Sequence, residues 1–334
     1  MSQANLLSPP LHISPPTALA LSQKAPLILS HAPTSSLPWP LSLLFSRETP
    51  ESWTMHENLF YSALRTGDET TANAILERFE ARFGSQNERI ITLRGLYNEA
   101  TARSDADLEK VCEGYDKILS QDPTNMGVRK RRVAVLKALG RSQDAIAAVT
   151  ALLENSPTDV ESWAEASELY ASQAAWGQAI FCAEEVLLVM PNAWSAHAHI
   201  ATLHYLSATS ATPPSLSALS LSLKHFCRSI ELNDSYLRGY YGLKMLTAAL
   251  IPLLSESTSV SNKRHNNNNN NNQEDDDIPL PKLDSVKKLE EIATRKLADI
   301  VRNASQGKTG WTGYDEAEVI AARALLDRDG KIER

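Results

Sequence analysis

Three kinds of residue are scarce in this chain, and each scarcity narrows the fold. Aromatic residues make up only 6% of the 334 residues and glycine occurs 13 times, which fits helices better than a β-sandwich or barrel. The three cysteines, Cys112, Cys182 and Cys227, are isolated and form no C-x-x-C pair, so neither a disulfide framework nor a zinc site is indicated. We expect them to be small buried residues in a reducing compartment.

The chain also lacks an excess of positive charge and a long apolar run. Its formal net charge of −7 argues against nucleic acid as the main partner, because phosphate binding needs clustered cations. No stretch reaches the about 20 apolar residues that a membrane-spanning helix needs. No basic region precedes a continuous apolar stretch at the start, so we expect neither a direct membrane span nor a signal peptide.

Signatures of catalysis and metal binding are missing as well. The sequence contains no H-E-x-x-H, G-x-S-x-G or phosphate-loop motif. His197, His199 and His204 form an H-x-H-x4-H pattern, but no carboxylate or cysteine lies beside them in the sequence. We therefore predict a protein that is not an enzyme, with no cofactor and no metal.

What the chain does contain is a regular spacing of prolines. Pro123, Pro157 and Pro191 stand 34 residues apart, which is the period of tetratricopeptide repeats (TPRs), each a helix–turn–helix unit. Such a unit cannot bury its apolar face alone, so neighbouring units stack. The spacing predicts an all-α fold, a TPR superhelical solenoid with C-terminal capping helices.

Large and small residues between the prolines follow the same pattern. In the unit 160–193 we expect large side chains of the first helix to pack where small residues bring two helices close. The residues assigned to these packing positions are Trp163, Ser167, Tyr170, Ala179 and Pro191. In the unit 126–159 the corresponding residues are Gly140 in the turn, Ala145 and Pro157, and Pro123 closes the unit before it. Arg129 and Arg132 stand at positions that are usually apolar.

Composition divides the chain into four segments. Residues 1–48 are rich in Pro and Ser, flexible over 1–16, with one short helix over 17–29. Residues 49–254 form the solenoid, with a helix beginning at Thr49–Pro50 and repeats near 58–86, 87–125, 126–159, 160–193 and 194–236. The last repeat carries a loop over 207–215. Residues 255–281, with a polyasparagine tract, are expected to be a disordered insert, and residues 282–330 to form C-terminal helices over 283–301 and 314–326.

Several strings in the middle of the chain carry a more specific resemblance. They are Tyr115–Asn125, Arg129–Arg132, Lys137–Gly140, Asp159–Trp163, Glu168–Tyr170, Ala179–Glu185 and Arg238–Leu243. Together they resemble subunit 2 of the endoplasmic reticulum (ER) membrane protein complex over about residues 59–246. Generic TPRs have only the packing positions in common. The resemblance to this family extends beyond them, to the Arg/Lys run at 129–132, the Phe–Cys–x–Glu–Glu string at 181–185 and the Tyr–Gly–Leu string at 241–243.

The resemblance implies a non-catalytic scaffold at the cytosolic face of the ER membrane. That complex inserts tail-anchored and other weakly hydrophobic transmembrane segments. The implied partners are the cytosolic parts of membrane subunits and a soluble subunit, with no nucleic acid.

The first helix of each TPR points unit positions 2, 5, 9 and 12 toward a concave groove. In this chain they are Gly127, Lys130, Ala134 and Lys137, then Glu161, Ala164, Glu168 and Ala171. We predict that Lys130, Lys137, Glu161 and Glu168 bind a charged helix or an extended tail of a partner. Charge matching of this kind sets orientation and encounter rate more than affinity.

Other functions have partial support. The run Arg129–Arg132 allows a nuclear signal, an RNA patch or a partner contact, although a solvated or ion-paired face is the simpler interpretation. A co-chaperone that binds heat-shock chaperone tails resembles this chain at Lys130 only, since Ala134 and Glu165 replace two asparagines of the clamp. A nuclear RNA-processing scaffold needs a basic stripe that an acidic chain does not favour.

Overall fold

The computed structural model describes residues 4–9, 15–30, 49–264, 280–306 and 314–332, and every regular element in these ranges is an α-helix. The chain divides into two compact units, residues 1–152 and 153–334. The helices of the first unit are α1 (Ala4–Leu7), α2 (Pro15–Ser22), α3 (Ala25–Ser30), α4 (Pro50–Thr66), α5 (Glu69–Phe83), α6 (Glu88–Thr101), α7 (Asp105–Gln121), α8 (Met126–Ala138) and most of α9 (Ser142–Asn155). Those of the second are α10 (Val160–Ser172), α11 (Trp176–Val189), α12 (Trp194–Ser210), α13 (Leu216–Leu232), α14 (Leu237–Arg264), α15 (Leu283–Ser305) and α16 (Glu316–Ile332).

The 34-residue period appears as one recurring turn. At each of Pro123, Pro157 and Pro191 the chain leaves one helix, makes a two-residue turn and enters the next helix. The side chain six residues after each proline donates a hydrogen bond to that proline's carbonyl oxygen. The donors are Arg129 Nε at 2.6 Å, Trp163 Nε1 at 2.7 Å and His197 Nε2 at 3.2 Å.

This donor position explains an irregularity in the sequence. Arg129 stands where Trp163 stands one period later, although arginine does not fit an apolar position. Both side chains can donate to the turn carbonyl, and that shared ability is what the position requires. At the turn of Asp234 the same spacing holds with a different acceptor, because the Tyr240 hydroxyl donates to Asp234 Oδ1 at 2.8 Å.

The longer unit that ends near residue 236 differs from the sequence prediction. A nine-residue surplus over the 34-residue period predicted a loop over 207–215. In the structure α12 continues to Ser210 and helix α13 begins at Leu216, so the loop is confined to residues 211–215. Most of the nine additional residues lengthen the two helices, which are 17 residues each, and the rest lengthen the loop between them. Helix α12 continues to Ser210 because Ala208 is buried and extends its packed face.

The core of the first unit lies between α4, α5 and α6 and includes the N-terminal helices. Its fully buried residues are Leu59, Phe60, Ala63, Ala72, Ile75 and Leu76. Leu21 and Ala25 of α2 and α3 are buried in the same cluster, and the Asn58 side chain donates to the Leu6 carbonyl at 2.8 Å. The expectation of flexibility over 1–16 is therefore corrected for α1 and the start of α2, while residues 1–3 and 10–14 lie outside the described ranges.

Two helices replace the single one expected over 17–29. Helix α2 ends at Ser22 and α3 begins at Ala25. Pro26 lies in the first turn of α3, where a missing N–H is tolerated, but a proline in the interior of one continuous helix would remove a hydrogen bond. The helix that begins at Pro50 has the predicted start, since Thr49 caps it by accepting from the Ser52 N–H.

The core of the second unit is continuous from α12 to the C-terminal helices. Leu219, Leu243, Leu246 and Leu250 are fully buried together with Val286, Ala293 and Leu297 of α15 and Ala322 of α16. The side chains of α15 thus cover an apolar face of α14 that would otherwise be exposed. Helix α14 runs through Pro252 to Arg264, ten residues past the expected end of the repeats, so residues 255–264 are helical and not a disordered insert. The polyasparagine tract lies outside the described residues.

Candidate partner-binding groove

A concave groove of the second unit contains the predicted acidic residues. Glu161, Ala164 and Glu168 of α10 line one wall of a cavity of about 570 Å³. Ala198, His199 and other residues of α12 form the facing wall. These three α10 positions are the first three of the four assigned to a concave surface, whereas Ala171 is not part of the lining. The first helices of two consecutive hairpins thus form two walls of the groove, and Ala183, Val186 and Met190 of α11 and its C-terminal end contribute further apolar lining.

Helix α10 meets α11 at a small, fully buried pair. Ser167 and Ala179 have no exposed surface, and the Ser167 hydroxyl donates to the Ala179 carbonyl at 2.8 Å. Because the Ser167 proton is used in that bond, its oxygen accepts from Nε2–H of His199 at 2.9 Å. Burial lowers the pKa of His199, with a smaller opposing effect of Glu168. His199 therefore joins α10 to α12 as a neutral ring in the α12 wall of the groove.

Tyr236 and Arg238, near the start of α14, also line the groove. The Arg238 guanidinium forms an ion pair with Glu318 of α16, with Nη2 and Oε1 2.6 Å apart. This hydrogen bond is the main reason why the pKa of Arg238 is raised. The groove thus combines acidic side chains on α10, apolar side chains of α11 and α12, and the paired cation Arg238.

The predicted basic residues lie on α8 in the first unit. Lys130 is half-buried and Lys137 is exposed, and neither lines the cavity around Glu161 and Glu168. All four residues take part in interactions within the chain. Their role in partner binding stays a prediction.

The neighbouring arginines of α8 are used inside the protein. Arg131 forms a bidentate ion pair with Glu99 of α6, and Glu99 also accepts from the Tyr115 hydroxyl of α7 at 2.5 Å. Arg132 pairs with Asp116 at 2.6 Å. The ion-paired interpretation of the Arg129–Arg132 run is therefore correct for these two arginines. Sequence analysis missed this network between α6, α7 and α8, because Glu99 lies 16 residues from Tyr115 and 32 residues from Arg131 along the chain.

Two of the three histidines in the H-x-H-x4-H pattern meet a fourth histidine. His197 Nδ1 and His225 Nδ1 are 3.1 Å apart, and the His204 ring stacks on His225 with 6.0 Å between ring centres. Since His197 Nε2–H donates to the Pro191 carbonyl, its Nδ1 accepts from His225 Nδ1–H in the neutral pair. Within the described ranges no cluster of three or more His, Cys, Asp or Glu residues is arranged to hold a metal ion.

The cysteines are free thiols, with Cys112 and Cys182 buried and Cys227 half-buried. Burial, assisted by nearby carboxylates, raises the pKa of both Cys182 and Cys227 to about 11. Thiols with such a pKa are protonated at neutral pH and are therefore poor nucleophiles.

A second cavity, of about 630 Å³, lies in the first unit. Its aromatic lining consists of Trp53, Phe79 and Phe83, with the Trp53 and Phe83 ring centres 5.0 Å apart. The Arg82 guanidinium lies 5.7 Å from the centre of the Phe83 ring, within the range of a cation–π contact. The repeat pattern did not predict this cavity. In the sequence, three aromatic residues on two helices are compatible both with the lining of a cavity and with a packed core.

Comparison with known proteins identifies the family that shares this arrangement. Residues 85–224 match the family model described as the EMC2 TPR-like repeat domain, a range that includes α6 to α12, the first half of α13 and all four predicted charged residues. The TPR repeat protein oca3 of Schizosaccharomyces pombe is 32% identical over 203 residues, which are 61% of this chain and 69% of that protein. The chain belongs to the family of ER membrane protein complex subunit 2.

Other relatives extend the comparison of this subunit 2 family member. The Xenopus laevis protein named ER membrane protein complex subunit 2-B is 34% identical over 193 residues, 58% of this chain and 61% of the frog protein. The chain therefore spans less than two thirds of that relative's length. A solved tetratricopeptide repeat protein from Parabacteroides merdae covers 82% of this chain and 98% of its own at 15% identity, with a TM-score of 0.41.

Proposed function

We propose that this chain is a non-catalytic scaffold subunit of an ER membrane protein complex. It is held at the cytosolic face of the ER membrane, where it supports the insertion of tail-anchored and multipass proteins by bridging membrane subunits and a soluble subunit. The observation that carries the proposal is the similarity to relatives named as subunit 2 of that complex, together with a family-model match that includes α10, α11 and α12 of the groove.

The described surface is consistent with recognition of partner proteins. A groove with acidic and apolar walls suits a helix or an extended tail, and its half-buried His199 is a neutral ring bonded to Ser167. None of the described helices combines the length and the apolar character needed to cross a bilayer. Attachment to the membrane would then depend on partner subunits.

The first experiment separates this proposal from the co-chaperone alternative. The tagged full chain is recovered from membranes in mild detergent, resolved on a sizing column and analysed by mass spectrometry. We expect it in a large assembly together with transmembrane proteins. Recovery only in the soluble fraction with heat-shock chaperones, and without membrane subunits, would overturn the scaffold proposal.

The role of the predicted charges is tested by reversal. We expect Lys130→Glu with Lys137→Glu, or Glu161→Lys with Glu168→Lys, to lower recovery of partner subunits by about 10-fold, because charged pairs at an interface are sensitive to like-charge contacts. Lys110→Glu with Lys117→Glu is the matched control, since these two exposed lysines of α7 are also seven residues apart. Recovery that matches this control would exclude the charged positions as the docking surface.

A further inference from the structure

Helix α11 has apolar residues on two opposite faces. Ala179, Cys182, Ala183 and Val186 form the buried face. On the other side Phe181 and Leu188, seven residues apart, are 54% and 75% exposed. A helix of a globular protein usually has one apolar face and one polar face, and a helix that is apolar all round is normally buried. The exposed apolar face of α11 is therefore incomplete without a further element.

The outward side chains form a stripe with a defined length. Phe181 packs edge-to-face on Trp163 of α10, with ring centres 6.1 Å apart, so its ring has a supported position. Leu188 lies two helical turns further on, about 10.5 Å along the axis. Two large apolar side chains at this spacing match the anchors of a helix that lies along another helix.

Two consecutive carboxylates, the exposed Glu184 and the half-buried Glu185, lie between Phe181 and Leu188 on this face. Glu184 is exposed between Phe181 and Leu188, and it forms no ion pair with the residues that the structure describes. If a second copy of this chain packed on the stripe about a two-fold axis, the two Glu184 side chains would face each other. Like charges at that place disfavour self-association, whereas a lysine or arginine of a different protein would complement the carboxylate.

We propose that the outer face of α11 binds an amphipathic α-helix of another protein subunit. Apolar side chains seven residues apart on that helix pack on Phe181 and Leu188, and a lysine or arginine between them pairs with Glu184. The inference rests on the proposed scaffold function for the identity of the assembly, but the recognition chemistry depends on these three residues only.

Photocrosslinking in the full chain tests the occupant. A photoreactive p-benzoylphenylalanine is placed at position 181 or 188, the assembly is irradiated in mild detergent, and the crosslinked peptide is sequenced by mass spectrometry. We expect one partner segment with helical apolar spacing and a central basic residue. The same replacement at Ile320, which is 59% exposed in α16, is the matched control. A crosslink to a second copy, to this chain itself or to a segment without that pattern would overturn the inference, as would a yield no higher than the control.

A charge swap tests the proposed pairing. We expect Glu184→Arg to reduce recovery of the crosslinked partner by about 10-fold or more, in the range of interface hot spots. Reversal of the partner's basic residue to Glu should restore recovery to within about 3-fold of the original complex. Failure of this rescue would overturn the pairing, provided that circular dichroism shows both variants to be as helical as the parent chain.

The two proposals can fail independently. If the chain migrates with transmembrane subunits but position 181 yields no specific crosslink, the scaffold function stands and the α11 surface is excluded. If position 181 crosslinks the expected kind of helix in a soluble complex without membrane subunits, the surface stands and the scaffold function is excluded.

Discussion

At the scale of single residues, the histidines between α12 and α13 couple stability to pH. The pKa of His225 is lowered to about 4, mainly by burial and to a smaller extent by the charges of His197, His204 and Lys224. Burial also lowers the pKa of His204. Below pH 6.5 the unfolded chain therefore binds more protons at these residues than the folded chain does.

We predict that titration of His225 leaves the free energy of unfolding unchanged above pH 6.5. As the pH decreases from 6.5 toward about 4, this titration lowers the free energy of unfolding. The loss at pH 4.5 relative to pH 7.5 is about 1–2 kcal/mol, less than the full shift implies because water partly screens the ring. Urea titrations across this range measure it. The His225→Gln variant should show a smaller pH slope, and an identical slope in both proteins would contradict the assignment.

At the scale of helices, small residues determine how closely two of them approach. Ala179 has no exposed surface, and its carbonyl accepts from Ser167, so no volume is left beside it. Ser167 and Ala179 thus lie where α10 meets α11, and the dependence of the packing on Ala179 stays a prediction.

We predict that Ala179→Arg destabilises the second unit by about 3 kcal/mol or more, because a long charged side chain would be forced between two packed helices. Thermal unfolding followed by circular dichroism measures the loss. Gln178→Arg, one residue earlier and exposed, is the control and should change stability by less than about 0.5 kcal/mol. Equal melting temperatures for the two variants would show that Ala179 does not lie between the helices.

Gly242 makes a second close approach, between α13 and α14. A Cβ atom at this position would lie 2.2 Å from two ring atoms of the buried Phe226. In an open helix, replacing glycine by alanine stabilises by up to about 1 kcal/mol. At Gly242 the clash outweighs that gain.

We predict that Gly242→Ala lowers the free energy of unfolding by about 1–3 kcal/mol, the usual cost of overpacking. Gly114→Ala in α7 is the matched control, because nothing lies within 4 Å of its added Cβ; this substitution should be neutral or stabilising. Chemical unfolding of both variants decides between them, and the prediction is wrong if both changes have the same sign.

At the scale of the whole molecule, each of the two units buries apolar clusters of its own. In the second unit, α15 and α16 bury Val286, Leu297 and Leu325 against the preceding helices. This arrangement agrees with the predicted capping helices, which a stack of repeats needs in order to cover its last apolar face.

We predict that Leu297→Ala costs about 3 kcal/mol, since it leaves a cavity in this core. In a stack of repeats each element contacts only its neighbours, so amide exchange should accelerate most in α14 to α16. Leu188→Ala, on an exposed side chain of the same unit, should leave exchange nearly unchanged in the isolated chain. Uniform acceleration throughout the chain would show that the C-terminal helices do not act as a separate cap.

The sequence alone determined the features that depend on near neighbours. The period of Pro123, Pro157 and Pro191 defined the helical hairpins, and the small residues at Ser167 and Ala179 marked where two helices meet. Thr49 and Pro50 marked a helix start, and the positions of Glu161 and Glu168 within their unit placed both on one helix face. Each of these signals lies within one or two helices, where spacing along the chain translates directly into spacing in space.

Only the tertiary structure decided the contacts between distant residues. The Arg131–Glu99–Tyr115 network and the His197–His225 pair join side chains 16 to 32 residues apart, and no local spacing predicts them. The extension of α12 to Ser210 depends on burial of its last turns. The exposure of Phe181 and Leu188 likewise cannot be predicted from the sequence. The position of an apolar residue in a helix determines which face it occupies, but not whether another element covers that face.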